Sequence, residues 1–338
     1  MINFESQYEK VVGGESKEER KEAEKRIQDR LERLDTEAVG EFEVDKTEQE
    51  EKIIETSEDA VDEMVERWGG EPKKLPPHKI HILEPEAVGQ LTAGKLASAF
   101  YAPGAQFVGI ERRGSGVDFA TSVAHEFFHA KSYKAAQVME DGKDAPWRSG
   151  VQVYEFKDKR VAYFGALEEA IVGESTRLFF EEKVKNNPMF KDEVEAVEEI
   201  KKWLRSSASE RKLSDEQKKA VDIFIEELYS IPDAIKVAEV LVGDKDDEYK
   251  RGFLEGAFSK INEERTDIMA ERYEERHKLY ELMDQIIENS SFETREELFE
   301  EFAKANFSGS LLPLAKIVEN ALGKGAFRRV AEDFKEEL

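Results

Sequence analysis

Cysteine is absent from the chain. Disulfides and thiolate metal sites are therefore excluded, and any metal must be held by histidine and carboxylate. Histidine itself is scarce, with five in 338 residues, so where these five sit carries information. Positive charge is in deficit: 51 Lys and Arg stand against 76 Asp and Glu, a net charge of −25. Such a field repels a phosphate backbone, so nucleic acid is not an expected partner. It keeps a protein soluble and favours cationic ligands. No run of about 18 apolar residues occurs, so no membrane span is expected. The start, "MINFESQYEK", lacks the apolar core of a secretory signal, and a reducing cytoplasm is the expected location.

Hydrophobic residues make up 39% of the chain and include 21 Phe, enough to build a core beneath a highly charged surface. Proline is sparse. Its one doublet, Pro76-Pro77 in "EPKKLPPH", bars a helix and marks a linker or turn between two textures. Residues 1–70 are a charged, helical N-terminal segment. There Ser16–Leu34 carries a narrow apolar stripe through Ile27, Leu31 and Leu34. A second helix from Ser57 to Trp68 puts Val61, Met64, Val65 and Trp68 on one face, closed by Gly69-Gly70.

Beyond the doublet, "HKIHILEP" alternates and is rich in β-formers, which predicts a strand from His78. A short helix, a turn at "APGA" and a strand from Gln106 to Arg112 follow. Next come a helix capped by Asp118 or Thr121, a β-hairpin over Gly150–Phe164 turning at Asp158-Lys159, and a helix from Ala166. Residues 186–338 show apolar residues three and four apart almost throughout, and an α-helical C-terminal domain is expected there. The fold class is α+β, with a mixed core over residues 71–185.

Two of the five histidines lie four apart in "TSVAHEFFHAKSY". On a helix, residues four apart share one face, so the imidazoles of His125 and His129 can address one ion from the same side. Glu126 sits one position round from His125, close enough to take a proton from a water activated by that ion without being a ligand. By chance alone such an HExxH match arises roughly once in a hundred sequences of this composition. Its flanks, Val123, Ala124, Phe127, Phe128 and Ala130, are apolar, so the polar trio is carried into a buried setting. Burying such groups is costly unless they are bound, and a metal relieves that cost. The bland alternative is a pair of hydrogen-bonded histidines on an ordinary helix.

A catalytic zinc needs a third protein ligand and an open position. "FGALEEAIVGESTRLFF" offers Glu168, Glu169 and Glu174 on an otherwise apolar helix. The neighbours of Glu169 at three and four residues are Gly165, Ala166, Val172 and Gly173, small enough for close helix approach; those of Glu168 include Phe164 and Ile171. Spacing favours Glu169, and surface carboxylates are expected among the other two.

The pair of segments "VAHEFFHA" and "GALEEAIVGE" resembles the gluzincin metallopeptidases, the thermolysin-like zincins, over about residues 78–180. The resemblance implies a zincin-like core, in which a small mixed sheet supports an active-site helix and a glutamate helix. It implies zinc held by His125, His129 and Glu169, Glu126 as general base, and a peptide or protein substrate. It puts Glu168 where the family usually has asparagine. Gly173 stands where an acidic residue usually supports a ligand histidine, and Glu174 or a backbone carbonyl is left to replace that support. The spacing of 40 residues from His129 to Glu169 is long for the family, and the expected hairpin would occupy the insertion. The oxyanion donor stays open among Tyr154, Tyr163, His277 and Tyr280. "QFVGIERR", just ahead of the motif helix, is expected to be the sheet edge that takes an extended peptide.

Two other readings differ in kind. One keeps the fold without the reaction, as a binding or scaffold protein with a structural metal, the acidic residues 1–70 acting as a detachable inhibitor or docking segment. The other is a helical interaction protein with an accidental motif. The glutamate between the histidines favours an enzyme, because a purely structural site has no use for it.

Overall fold

The computed structural model describes residues 8–31, 39–85, 87–91, 99–139, 142–155, 161–209 and 273–337. Its N-terminal elements are β1 (Lys10–Gly13), α1 (Lys17–Leu31), α2 (Glu48–Arg67), β2 (Ile80–Leu83), α3 (Ala87–Leu91), β3 (Ala99–Ala102) and β4 (Phe107–Glu111). The middle comprises α4 (Gly116–Lys131), β5 (Lys134–Val138), β6 (Asp144–Ser149), β7 (Gln152–Glu155), β8 (Val161–Tyr163) and α5 (Gly165–Phe179). The C-terminal part adds α6 (Lys191–Ser209), α7 (Tyr273–Ile287), α8 (Arg295–Phe307), α9 (Leu311–Leu322), α10 (Ala326–Asp333) and a two-residue β9 (Glu336–Glu337). The class is α+β. Among the described residues no helix is long and apolar enough to cross a membrane. The expected turn at Asp158-Lys159 and most of the helices expected between residues 210 and 272 lie outside the described residues.

Two sheets flank the motif helix. The smaller has the order β2-β4-β3. β4 pairs with β2 in parallel and with β3 antiparallel. "QFVGIERR" is therefore the central strand, not the expected edge: both of its hydrogen-bonding sides are taken, and every residue of Phe107–Glu111 is buried. The larger sheet runs β1-β5-β6-β7-β8-β9. Its first pair is parallel and the rest antiparallel. Four of these strands escape the sequence reading. β5 is buried almost throughout and so lacks alternation. β6 contains Pro146, and the register jumps from Arg148 to Pro146 across Ala135/Ala136, a bulge of the kind that accommodates a residue without an N–H. β1 and β9 are short and borrow their pairing from β5 and β8.

Helix starts follow local chemistry. α2 begins well ahead of the expected Ser57, because Thr47 and Glu50 form a reciprocal capping box. α4 is capped by Ser115, whose hydroxyl accepts Asp118 N at 3.1 Å, and not by Asp118 or Thr121. Asp118 instead pairs with Arg113 in a buried contact. Glu193 of α6 completes that cap from outside: its carboxylate accepts Gly116 N at 2.9 Å, Val117 N at 3.1 Å and the Ser115 hydroxyl at 2.8 Å.

The boundaries expected at residues 70 and 186 do not divide the core. One apolar cluster runs from Ile53 on α2 through Val123, Phe127 and Phe128 on α4 and Ile171 on α5 to Phe302 on α8 and Phe334. Trp68 stacks on Phe307 at 5.2 Å, meets Phe299 edge-on at 6.0 Å and lies tilted against Phe128 at 6.1 Å. A buried ammonium, Lys131 Nζ, ties α4 to α2 through Glu58 at 2.9 Å and Asp62 at 2.6 Å. Residues 48–68 are thus a wall of the core and not a detachable segment. Trp68→Ala is expected to cost about 3–5 kcal/mol, against less than about 0.5 kcal/mol for Leu312→Ala at an exposed site; chemical denaturation of the two variants checks this.

Candidate metal centre

α4 packs against α2, α5 and the smaller sheet. His125, Glu126 and the apolar residues around them are buried. The two imidazoles approach with Nε2 to Nε2 at 3.2 Å. Glu169 on α5 brings Oε2 to 3.8 Å from His125 Nε2 and 3.5 Å from His129 Nε2. The three donor atoms lie within 4.8 Å of one another and could hold a metal ion.

The far nitrogens are also assigned. Thr176 donates its hydroxyl hydrogen to Val172 O at 2.8 Å, so toward His125 Nδ1, 3.2 Å away, it is an acceptor. Glu168 places Oε2 3.1 Å from His129 Nδ1. Both imidazoles thus carry their hydrogen on Nδ1 and direct the Nε2 lone pair inward. Two lone pairs and a carboxylate oxygen then face one another, an arrangement that needs a positive charge between them. For ligand distances of about 2.0–2.2 Å, tetrahedral donors sit about 3.3–3.6 Å apart. The observed 3.2, 3.5 and 3.8 Å bracket that range, so the donor set fits a tetrahedral divalent ion. A proton is the competitor. Burial works against charge on His129, but the Glu168 and Glu169 carboxylates outweigh it and hold the imidazole well above its ordinary pKa.

The trio differs in exposure. The side chain of His125 is 1% exposed, those of His129 and Glu169 14% and 22%. The exposed part of Glu169 lies away from the converging atoms, since the donor oxygen Glu169 Oε2 is itself buried. Glu126 is buried beside His125 on the same helix and is not one of the three converging donors.

The remaining carboxylates depart from expectation. Neither Glu168 nor Glu174 is a surface residue; they are 3% and 5% exposed. Glu168 reaches His129 Nδ1 although Phe164 and Ile171 flank it in spacing, so both glutamates of the pair address one imidazole from its two sides. Glu174 does not replace the support missing at Gly173. It receives Arg177 at 2.7 Å and the Tyr280 hydroxyl. Thr176 takes that supporting role. Its signal was available in the sequence, since it lies seven residues after Glu169 and so shares its helical face. Gly165, one of the small residues thought to admit α4, faces Glu336 instead.

The four candidate oxyanion donors separate. Tyr163 bonds Glu155 at 3.2 Å, His277 lies beside Glu281 at 3.5 Å, and Tyr280 belongs to the Glu174–Arg177 group. Tyr154, on β7, donates its hydroxyl hydrogen to Gln152 Oε1 at 2.7 Å. Burial, followed by the charge of Glu168, raises its hydroxyl pKa, and Glu169 adds to this. The end of α4 is closed by Lys134, whose Nζ donates to the carbonyls of His129, Ala130 and Ser132 at 2.5, 2.7 and 3.0 Å. Burial pushes its pKa down to about 7, while three acceptors call for all three ammonium hydrogens.

No family model, curated protein or solved structure matches the chain. If the trio holds a divalent ion, Glu168→Gln and Thr176→Val should each weaken its binding about 10–100-fold, and Glu174→Gln should leave it unchanged. Competition with a chromophoric chelator measures all three.

Proposed function

We propose that the chain is a zinc-dependent metallopeptidase with a zincin-like core of the gluzincin kind. The observation that carries this reading is the convergence of His125 Nε2, His129 Nε2 and Glu169 Oε2 at tetrahedral separations. Cysteine-free nitrogen and oxygen ligands suit zinc, and a mixed sheet, a motif helix and a glutamate helix in that chain order suit the zincin plan. Zinc, when bound, supplies Lewis acidity that activates water and polarises a peptide carbonyl.

The chain's own groups complete the reaction. Glu126 accepts a proton from the attacking water as the new C–O bond forms at the carbonyl carbon. It then delivers that proton to the amide nitrogen as the C–N bond breaks, which frees an acid and an amine. Tyr154 stays protonated, because burial and the charge of Glu168 raise its pKa; it serves as donor to the developing oxyanion by turning its hydroxyl from Gln152. Glu168 and Thr176 hold the imidazoles in the tautomer that binds metal.

An extended peptide needs a free strand edge. β4 cannot provide it, whereas β3 is bonded on one side by β4 and has no strand on its other side among the described residues. We assign the substrate backbone to β3. Against the inhibitory-segment alternative, α2 is core and α1 packs on β1 and β5 through Ile27 and Leu31, which favours the enzymatic reading. Glu126→Gln should retain one zinc per chain and lower peptide hydrolysis at least about 100-fold; a variant that cleaves like the parent removes Glu126 from the mechanism.

A further inference from the structure

The polar contacts around His129 do not stop at Glu168. Ser132, the first residue beyond α4, has one hydroxyl hydrogen, which it shares between Phe128 O at 2.9 Å and Glu168 Oε1 at 3.2 Å. Its oxygen accepts a hydrogen bond from Asn306 Nδ2 at 2.9 Å, a residue 174 positions away near the end of α8. Asn306 is fully buried. Its Oδ1 accepts Val151 N at 2.9 Å, and its backbone oxygen accepts Tyr133 N at 3.1 Å.

These contacts define a direction. Val151 N–H can only donate, so the amide oxygen must face it and the amide nitrogen must face Ser132. The serine oxygen, once it accepts that bond, turns its own hydrogen toward the side where Glu168 and Phe128 O lie. Rotating the amide would strand a buried backbone N–H at a cost of a full desolvation penalty. The backbone makes room for the asparagine: Gly150 has φ +55°, and a Cβ there would run into Asn306 Oδ1.

We propose that Ser132 and Asn306 are positioning residues of the metal centre. They hold the Glu168 carboxylate against His129 Nδ1–H, so that α8 sets how tightly the trio keeps its ion. A carboxylate that shares the Ser132 hydrogen at one oxygen is restrained in the orientation from which it meets the imidazole; without that contact it can swing. Arg148 provides the contrast. It docks the same end of α8 through the carbonyls of Gly150, Gly309 and Ala305 at 2.7, 2.5 and 3.2 Å, and its bonds go to none of the relay side chains.

This inference rests on the metal reading above. The test uses the full chain and zinc alone, with zinc affinity from chelator competition and the melting temperature of the metal-free protein read side by side. Ser132→Ala should weaken zinc about tenfold or more, and Ser132→Thr should restore it. Arg148→Gln should lower the melting temperature while leaving zinc affinity within about twofold of the parent. Should Ser132→Ala not fold, Ser132→Cys, a near-isostere with a weak donor, should fall between parent and loss. A Ser132 variant that melts earlier yet binds zinc like the parent overturns the proposal. So does an Arg148→Gln loss of affinity as large as that of Ser132→Ala, which would make the effect one of helix docking. A parent chain that takes up no zinc defeats the metal reading itself, and this inference with it.

Discussion

The arrangement around the motif helix depends on one electrostatic constraint: two inward-facing imidazole nitrogens 3.2 Å apart, with a carboxylate oxygen above them. Such a group is stable in a buried setting only with positive charge at its centre, and only if the rings cannot rotate away from it. The fold meets the second condition by pinning both far nitrogens from α5, one by Thr176 and one by Glu168. α5 therefore contributes three of the five side chains that define the centre, and α4 two. The packing of these two helices, more than either motif alone, is what the site requires.

How α5 is held follows from the rest of the chain. α7 and α8 lie against it, and Phe164 just ahead of it adopts φ +60°, a left-handed conformation uncommon for a residue with a bulky side chain. Its ring packs on Phe327 of α10 at 4.9 Å. The C-terminal helices thus position the glutamate helix, while α2 positions the histidine helix through Trp68 and the Lys131 ion pairs. One continuous core joins segments that composition alone divides at Gly70 and near residue 186.

Much of the site was legible from residue spacing. Four-residue separation placed His125 and His129 together, and small neighbours together with the family resemblance singled out Glu169; the three do converge. The helices α1, α4 and α5, the strands β2 and β4 and the helical character of the described C-terminal residues also follow from periodicity and turn residues. What spacing could not give were features made by distant partners. β5 and β9 show no alternation because their pairing, not their pattern, makes them strands. β4 reads as an edge only until β2 and β3 are seen on both its sides. Glu168 and Glu174 look alike as glutamates on an apolar helix, yet one meets an imidazole and the other a guanidinium, a difference set by which element lies opposite.

Both poles of the motif helix are occupied by groups from outside it. The Glu193 carboxylate closes the amide end and the Lys134 ammonium group the carbonyl end. The helix macrodipole favours an anion at its amide end and a cation at its carbonyl end, and both places are filled in α4. The charges that meet the histidines directly are those of Glu168 and Glu169, so a cation between the imidazoles would be favoured by the neighbouring helix and not by the axis on which they stand.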